Sequence, residues 1–183
     1  MPRGDSHPDM IRAVALDLFS THGVTGTSLQ MIADQLGVTK AAVYHHFHSK
    51  NQIVLSVLSP AFNTLRQIVE SARLIPDASD RQQYLVENLA DQAVKNRRLY
   101  AVMLHDTVVS QLMDADPELT AVFEELRDGL VGGDSTPVDQ VKVAMFLTGL
   151  VAPVVDYRVA ALPDQDIYAG IVAAGATLCH CLH

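Results

Sequence analysis

Apolar residues recur at three- and four-residue spacing along almost the whole chain, and no stretch alternates apolar with polar positions. This periodicity predicts an all-α fold. A first helix starts in the capping-box-like Ser6-His7-Pro8-Asp9, buries Ile11, Val14, Ala15, Leu18 and Phe19, and stops at Gly23. The cap-like Thr27-Ser28-Leu29-Gln30 opens a short second helix, which carries Leu29, Ile32, Ala33 and Leu36 and ends at Gly37. Thr39 is positioned to N-cap a third short helix ending near Phe47. Ser49 opens a long fourth helix in which Val54, Leu58, Ala61, Leu65, Ile68 and Ala72 alternate four-three, with Pro60 expected to kink it. Beyond Pro76 the pattern predicts helices near 79–95, 97–113, 117–131, 138–160 and 164–181, with GGDSTP at 132–137 as the clearest loop.

The chain has 183 residues, enough for a small N-terminal module, 1–48, joined to a larger helical domain, 49–183. Its net charge of −8 argues against an indiscriminate nucleic-acid binder. The charge is uneven, however. Up to Leu58 four basic residues (Arg3, Arg12, Lys40, Lys50) balance four acidic ones, and five of the eight histidines lie there. The remainder carries the whole acidic excess. Cysteine occurs only at Cys179 and Cys181, and the start lacks an apolar signal core, so a reducing cytoplasm is the expected setting. The longest apolar run, VAMFLTGLVAPVV, falls short of the roughly 20 residues of a membrane span, so no membrane partner is expected.

Two short helices meeting at a glycine make a helix-turn-helix corner, which any small helical domain could contain. The stretch VTKAAVYHHFHSK at 38–50 gives the corner a chemistry. At about 100° per residue, Val43 and Phe47 point inward with Val38, while Ala41 and His45 face the other way with Lys40, Ala42 and Tyr44 on the flanks. That face packs poorly but suits a DNA major groove. Alanines permit close approach and touch thymine methyls, and Lys40 reaches guanine acceptors. Tyr44, His46 and Lys50 offer donors to phosphates, and helix N-termini at Thr27 and Thr39 add backbone N–H groups. A metal site needs convergent ligands, whereas His45 and His46 diverge along a helix, so no metal or other cofactor is expected. No paired carboxylate or nucleophile lies nearby to support an enzyme.

Residues 10–58, with the elements ALDLF, HG, TS, IA, LGV.K and VYHHF.SK, resemble the DNA-binding domain of TetR-family transcriptional regulators. The resemblance implies a long fourth helix, an all-helical regulatory domain, a homodimer, an operator partner and a small-molecule effector. It implies base contacts at Lys40, Ala41, Ala42 and His45, phosphate contacts at Tyr44, His46 and Lys50, and a second-helix contact at Gln30. Alanine stands at position 42, where hydrogen-bonding residues are frequent in the family.

The expected function is therefore a ligand-responsive repressor and not an enzyme. The competing classes are a helical enzyme and a protein-interaction module with a non-functional helix-turn-helix. In the larger domain Tyr84, Tyr100, Met103, His105, Phe123, Met145, Phe146 and Tyr157 are candidates to line an effector cavity, with His105, Tyr100 and Tyr157 as polar anchors. The region's acidity favours a neutral or cationic effector. His105–Asp106 reads as a buried polar pair within a helix. Cys179, His180, Cys181 and His183 read as a structural or incidental tail. In the last helix Ile167, Ile171, Ala174, Leu178 and Cys181 form one apolar stripe, expected to face the domain. The small stripe Ala169, Ala173, Ala176 and His180 lies opposite and is expected to meet a symmetry mate.

Overall fold

A computed structural model describes residues 7–132 and 135–179, apart from the side chains of Ala101, Met103, Leu104, His105, Val154 and Val155. The described residues form helices joined by turns, without a strand among them. The first four elements are α1 (His7–Gly26), α2 (Leu29–Leu36), α3 (Lys40–His46) and α4 (Lys50–Ala72). Regular helical geometry in α1 stops at Gly23, whose φ of 71° a side chain would strain. Ser28, Thr39 and Ser49 then cap three helices in succession. Each side-chain oxygen accepts from the amide three residues on, that of Met31, Ala42 or Gln52, at 3.2 Å. Gly37, with φ of 68°, closes α2 in the left-handed conformation.

The apolar positions of these helices make one core. Ile11, Ala15, Phe19, Ile32, Ala33 and Val43 pack with Ile53, Val54, Val57 and Leu58 from the first half of α4. α4 continues through Pro60 as one helix. Proline lacks the N–H that would reach the Ser56 carbonyl, and the Ser59 hydroxyl donates to that carbonyl instead, at 3.1 Å.

The rest of the chain forms α5 (Ala78–Lys95), α6 (Arg97–His105), α7 (Thr107–Asp114), α8 (Pro117–Val131), α9 (Pro137–Gly149), α10 (Ala152–Val155) and α11 (Asp164–Cys179). Two expected helices are broken. The 97–113 helix divides at Asp106, which is extended (φ −114°, ψ 114°) and caps α7 by accepting from the Val108 amide at 2.9 Å. His105–Asp106 is thus a helix boundary rather than a mid-helix pair. The 138–160 helix ends at Gly149, and Pro153 stands in the first turn of the single-turn α10.

A second core joins the far half of α4 to α5, α8, α9 and α11. Gly175 allows the closest approach in it: a Cβ there would lie 2.5 Å from a Val86 methyl and 2.8 Å from the Phe146 ring. The buried stripe of α11 is Ile167, Ile171, Gly175 and Cys179, while Ala174 is exposed and Leu178 half-buried. The inward register therefore passes through glycine, not through Ala174. Burial pushes the Cys179 thiol up to about 11, which keeps it protonated and inert as a nucleophile. Cys181 and His183 lie outside the described residues.

Candidate nucleic-acid interface

The third helix stands on a single fully buried side chain, Val43, with half-buried Val38 and Phe47 at its two ends. Lys40, Ala41, Ala42, Tyr44, His45 and His46 are all exposed, and Tyr44 is 51% exposed. The Lys40 ammonium meets no acceptor among the described residues and is available to a ligand. His45 and His46 lie closer than helical divergence suggests, edge to face with ring centroids 5.4 Å apart. His46 also stacks on His7 at 6.0 Å, which brings the start of α1 to the end of α3. Tyr44 meets His48 at 5.3 Å. The described residues contain no group of three or more His, Cys, Asp or Glu arranged for a metal. Gln30 is exposed and donates to Asp34 at 2.7 Å, so a DNA contact by Gln30 would have to break or share that bond.

Two residues expected to contact DNA have bonding partners within the chain. Thr27 is 2% exposed and its hydroxyl donates to the Gly23 carbonyl at 2.8 Å, so its side chain caps the end of α1. Lys50 is half-buried at the start of α4. Its ammonium donates to the carbonyls of Val24 at 2.6 Å, Thr27 at 3.0 Å and Thr25 at 3.3 Å. Three N–H groups meet three carbonyls, so a phosphate contact by Lys50 would have to replace one of these bonds. Thr39 is exposed beside Lys40 as the N-cap of α3.

A cavity of about 430 Å³ opens in the larger domain. Its wall is mostly apolar, with Phe62, Leu65, Leu89, Phe123, Leu126 and Leu147 from α4, α5, α8 and α9. Tyr100 of α6 supplies a phenol that burial pushes up, so it remains an O–H donor. Exposed Asp114 and Arg127 also line the cavity. Of the sequence candidates, Tyr100 and Phe123 belong to this wall. Tyr84 and Phe146 are not on this wall; Phe146, packed against Gly175, lines a second cavity of about 320 Å³ together with Met145. Tyr157 is 78% exposed, with Arg158 over its ring at 5.3 Å, because the helix that was to carry it inward ends at Gly149. Met145 is exposed on α9. The side chains of Met103 and His105 lie outside the described residues.

Sequence reasoning looked for aromatic and polar anchors and missed the aliphatic wall. Asp106, expected as half of a polar pair within a helix, instead bonds across the fold: its second oxygen accepts from the Val24 amide at 2.7 Å, 82 positions away.

Two short capped helices at a tight corner, the second presenting a polar face over a buried anchor, define a helix-turn-helix DNA-binding module. Residues 11–57 match the family described as "Bacterial regulatory proteins, tetR family". The chain is 34% identical over 71 residues to the HTH-type transcriptional repressor KstR2 of Mycolicibacterium smegmatis, which is 37% of this chain and 35% of that protein. It therefore spans about a third of that relative's length. With the HTH-type transcriptional activator FasR of the same organism it shares 28% identity over 160 residues, 85% of this chain and 72% of FasR. Solved structures share the fold over nearly the whole length. KstR2 of Mycobacterium tuberculosis covers 93% of this chain and 95% of its own (TM-score 0.67, 18% identity). PfmR from Thermus thermophilus covers 95% and 96% (TM-score 0.69, 20% identity). Residues 11–57 thus carry a tetR-type regulatory domain, and the all-helical fold of the whole chain is shared with these solved structures. No helix among the described residues is long and apolar enough to cross a membrane.

Proposed function

We propose that the chain is a repressor that binds an inverted-repeat operator as a homodimer and releases it when a small apolar effector fills the cavity. The observation that carries this reading is the third helix: Lys40, Tyr44, His45 and His46 are exposed around Ala41 and Ala42 on a buried Val43. A face with small residues at its centre and donors at its flanks matches a major groove, with Lys40 and His45 toward base edges and Tyr44 and His46 toward phosphates. The division at 48/49 falls at the start of α4, whose first half packs into the core of this module and whose second half packs into the domain that holds the cavity.

Dimerisation is supported by an unpaired surface. On α11 Ala169 and Ala173 are exposed and Ala176 half-buried, while neighbouring α9 exposes Val138, Val141 and Met145 at 62, 59 and 60%. Small residues beside a row of large apolar ones suit two helices from each of two copies packed as a four-helix interface. His180, also expected there, lies outside the described residues.

The cavity volume falls within the range of small-molecule sites, roughly 300–1,000 Å³. Its wall favours an apolar body, and Tyr100 offers one hydrogen bond to an acceptor on the ligand. The description of the M. tuberculosis relative as a ketosteroid transcriptional regulator supports an effector of this neutral, lipophilic class. The test is a retardation assay with the DNA upstream of the chain's own coding sequence. Compounds found by thermal shift among lipophilic metabolites are then scored for operator release. A shifted complex that dissolves with at least one stabilising compound is expected, and no shift on any such fragment at low salt defeats the reading.

A further inference from the structure

Where regular geometry in α1 breaks at Gly23, the stretch from Val24 to Thr27 offers backbone groups to other elements. They are held from two directions. Lys50, at the start of α4, takes the carbonyls of Val24, Thr25 and Thr27. Asp106, at the joint of α6 and α7, takes the Val24 amide at 2.7 Å with one oxygen while the other caps α7 through Val108 at 2.9 Å.

The Asp106 joint belongs to two surroundings at once. Leu99, Val102 and Val109, from α6 and α7, are buried in the N-terminal core. Tyr100, Ser110, Met113 and Asp114, from the same two helices, line the cavity. Arg98 adds an ion pair to Asp17 of α1 at 2.9 Å. The segment 97–114 therefore has one side on the cavity and the other on the helix-turn-helix, with Asp106 as the point where a side chain bonds the turn that leads into α2.

We infer that Asp106 is a positioning residue that carries cavity occupancy to the DNA-binding module. The inference rests on the effector reading above. A ligand that spreads α6 and α7 from α8 and α9 moves Asp106. The Val24 amide then loses its acceptor, and the turn that sets Ser28, the cap of α2, is free to shift. α3 packs against α2 and moves with it, out of register with its groove.

The variant Asp106→Ser separates the two bonds, because serine still caps a helix but is too short to reach Val24. The full-length protein would be followed by hydrogen exchange and by anisotropy on its operator. Ala144→Trp, on the α9 wall, would serve as a permanent cavity filler in both backgrounds. Exchange of the Val24 amide should rise at least about tenfold in Asp106→Ser, with the capped amides of Met31, Ala42 and Gln52 unchanged. The filler should weaken operator binding about tenfold in the Asp106 background and less than about twofold with serine at 106. Unchanged Val24 exchange, equal losses in both backgrounds, or no loss in either would overturn the inference. A wild-type chain that binds no operator would overturn the regulatory reading beneath it, which is distinguishable from equal losses.

Discussion

The Lys50 ammonium lies 2.6 Å from the Val24 carbonyl oxygen and closes the end of α1 onto the start of α4. A lysine at the edge of a DNA-binding face is easily read as a phosphate contact, but here its ammonium holds three backbone carbonyls, and we propose a structural role for it. Lys50→Met should lower stability by about 1–3 kcal/mol, because it orphans partly buried carbonyls that a charged donor had satisfied. The salt dependence of operator binding should stay as steep as in the wild type, since no phosphate contact is removed. Chemical denaturation and a salt titration check the two halves. A shallower slope would restore Lys50 to the DNA.

Lys40 should behave in the opposite way. Its ammonium meets no acceptor among the described residues and it projects from the first turn of α3. Lys40→Ala should leave the melting temperature nearly unchanged. It should cost about 1–3 kcal/mol of operator affinity and relax specificity at one base pair, as measured by binding to a set of singly substituted operators.

The small stripe on α11 leads to a third expectation. Ala173 is exposed on a helix whose other side is filled by Ile167, Ile171 and Gly175. Ala173→Arg should therefore leave the folded chain intact but yield a monomer in sedimentation. A monomer offers one half-site reader instead of two, so operator affinity should collapse. A wild-type monomer at micromolar concentration would remove the basis for this expectation.

Much of this architecture is legible from local signals. The caps at Thr39 and Ser49, the stop at Gly37 and the span of α8 depend on residues a few positions apart, and the structure has them where the pattern puts them. The 138–160 helix fails locally, at Gly149 and Pro153, but the other misses depend on the rest of the fold. Asp106 breaks a helix whose apolar period runs on from Val102 to Val109, and the group that holds it is the amide of Val24. The carbonyls that bind Lys50 come into being only when Gly23 ends α1. Gly175 carries no side chain to mark it as inward, so the pattern in α11 pointed to Ala174. The exposed half of the candidate DNA site follows from periodicity, whereas the cavity wall depends on which helices lie opposite one another.

Acid should act on α9 through its cap. Asp139 accepts from the Thr136 hydroxyl at 2.6 Å and the Thr136 amide at 3.0 Å, with Lys142 at 3.4 Å. These bonds, the Thr136 hydroxyl first, lower the carboxyl below its ordinary value. A lowered folded-state value stabilises the protein above the unfolded carboxylate's titration near 3.9 and loses that stabilisation as pH falls through the folded value. Asp139→Asn should thus lower the melting temperature at pH 7 and narrow its gap from the wild type as pH drops below about 4. A gap that stays constant with pH would mean that the charge on Asp139 contributes no stability.

Gly175 offers the sharpest test of the packing. In the middle of α11, alanine is the better helix former by about 1 kcal/mol, so an exposed site would gain from the change. Here the new methyl would lie 2.5 and 3.0 Å from the two Val86 methyls and 2.8 Å from the Phe146 ring. Valine is stiff about its first torsion and sits in a helix, so it cannot turn both methyls aside. Phe146 is 3% exposed, with little space to retreat. Overpacking of this kind costs about 1–3 kcal/mol, which outweighs the propensity gain. Gly175→Ala should therefore destabilise the protein in urea, and pairing it with Val86→Ala should recover part of the loss by making room for the methyl. A single variant as stable as the wild type would mean that α11 rides further from α5 and α9 than the structure has it.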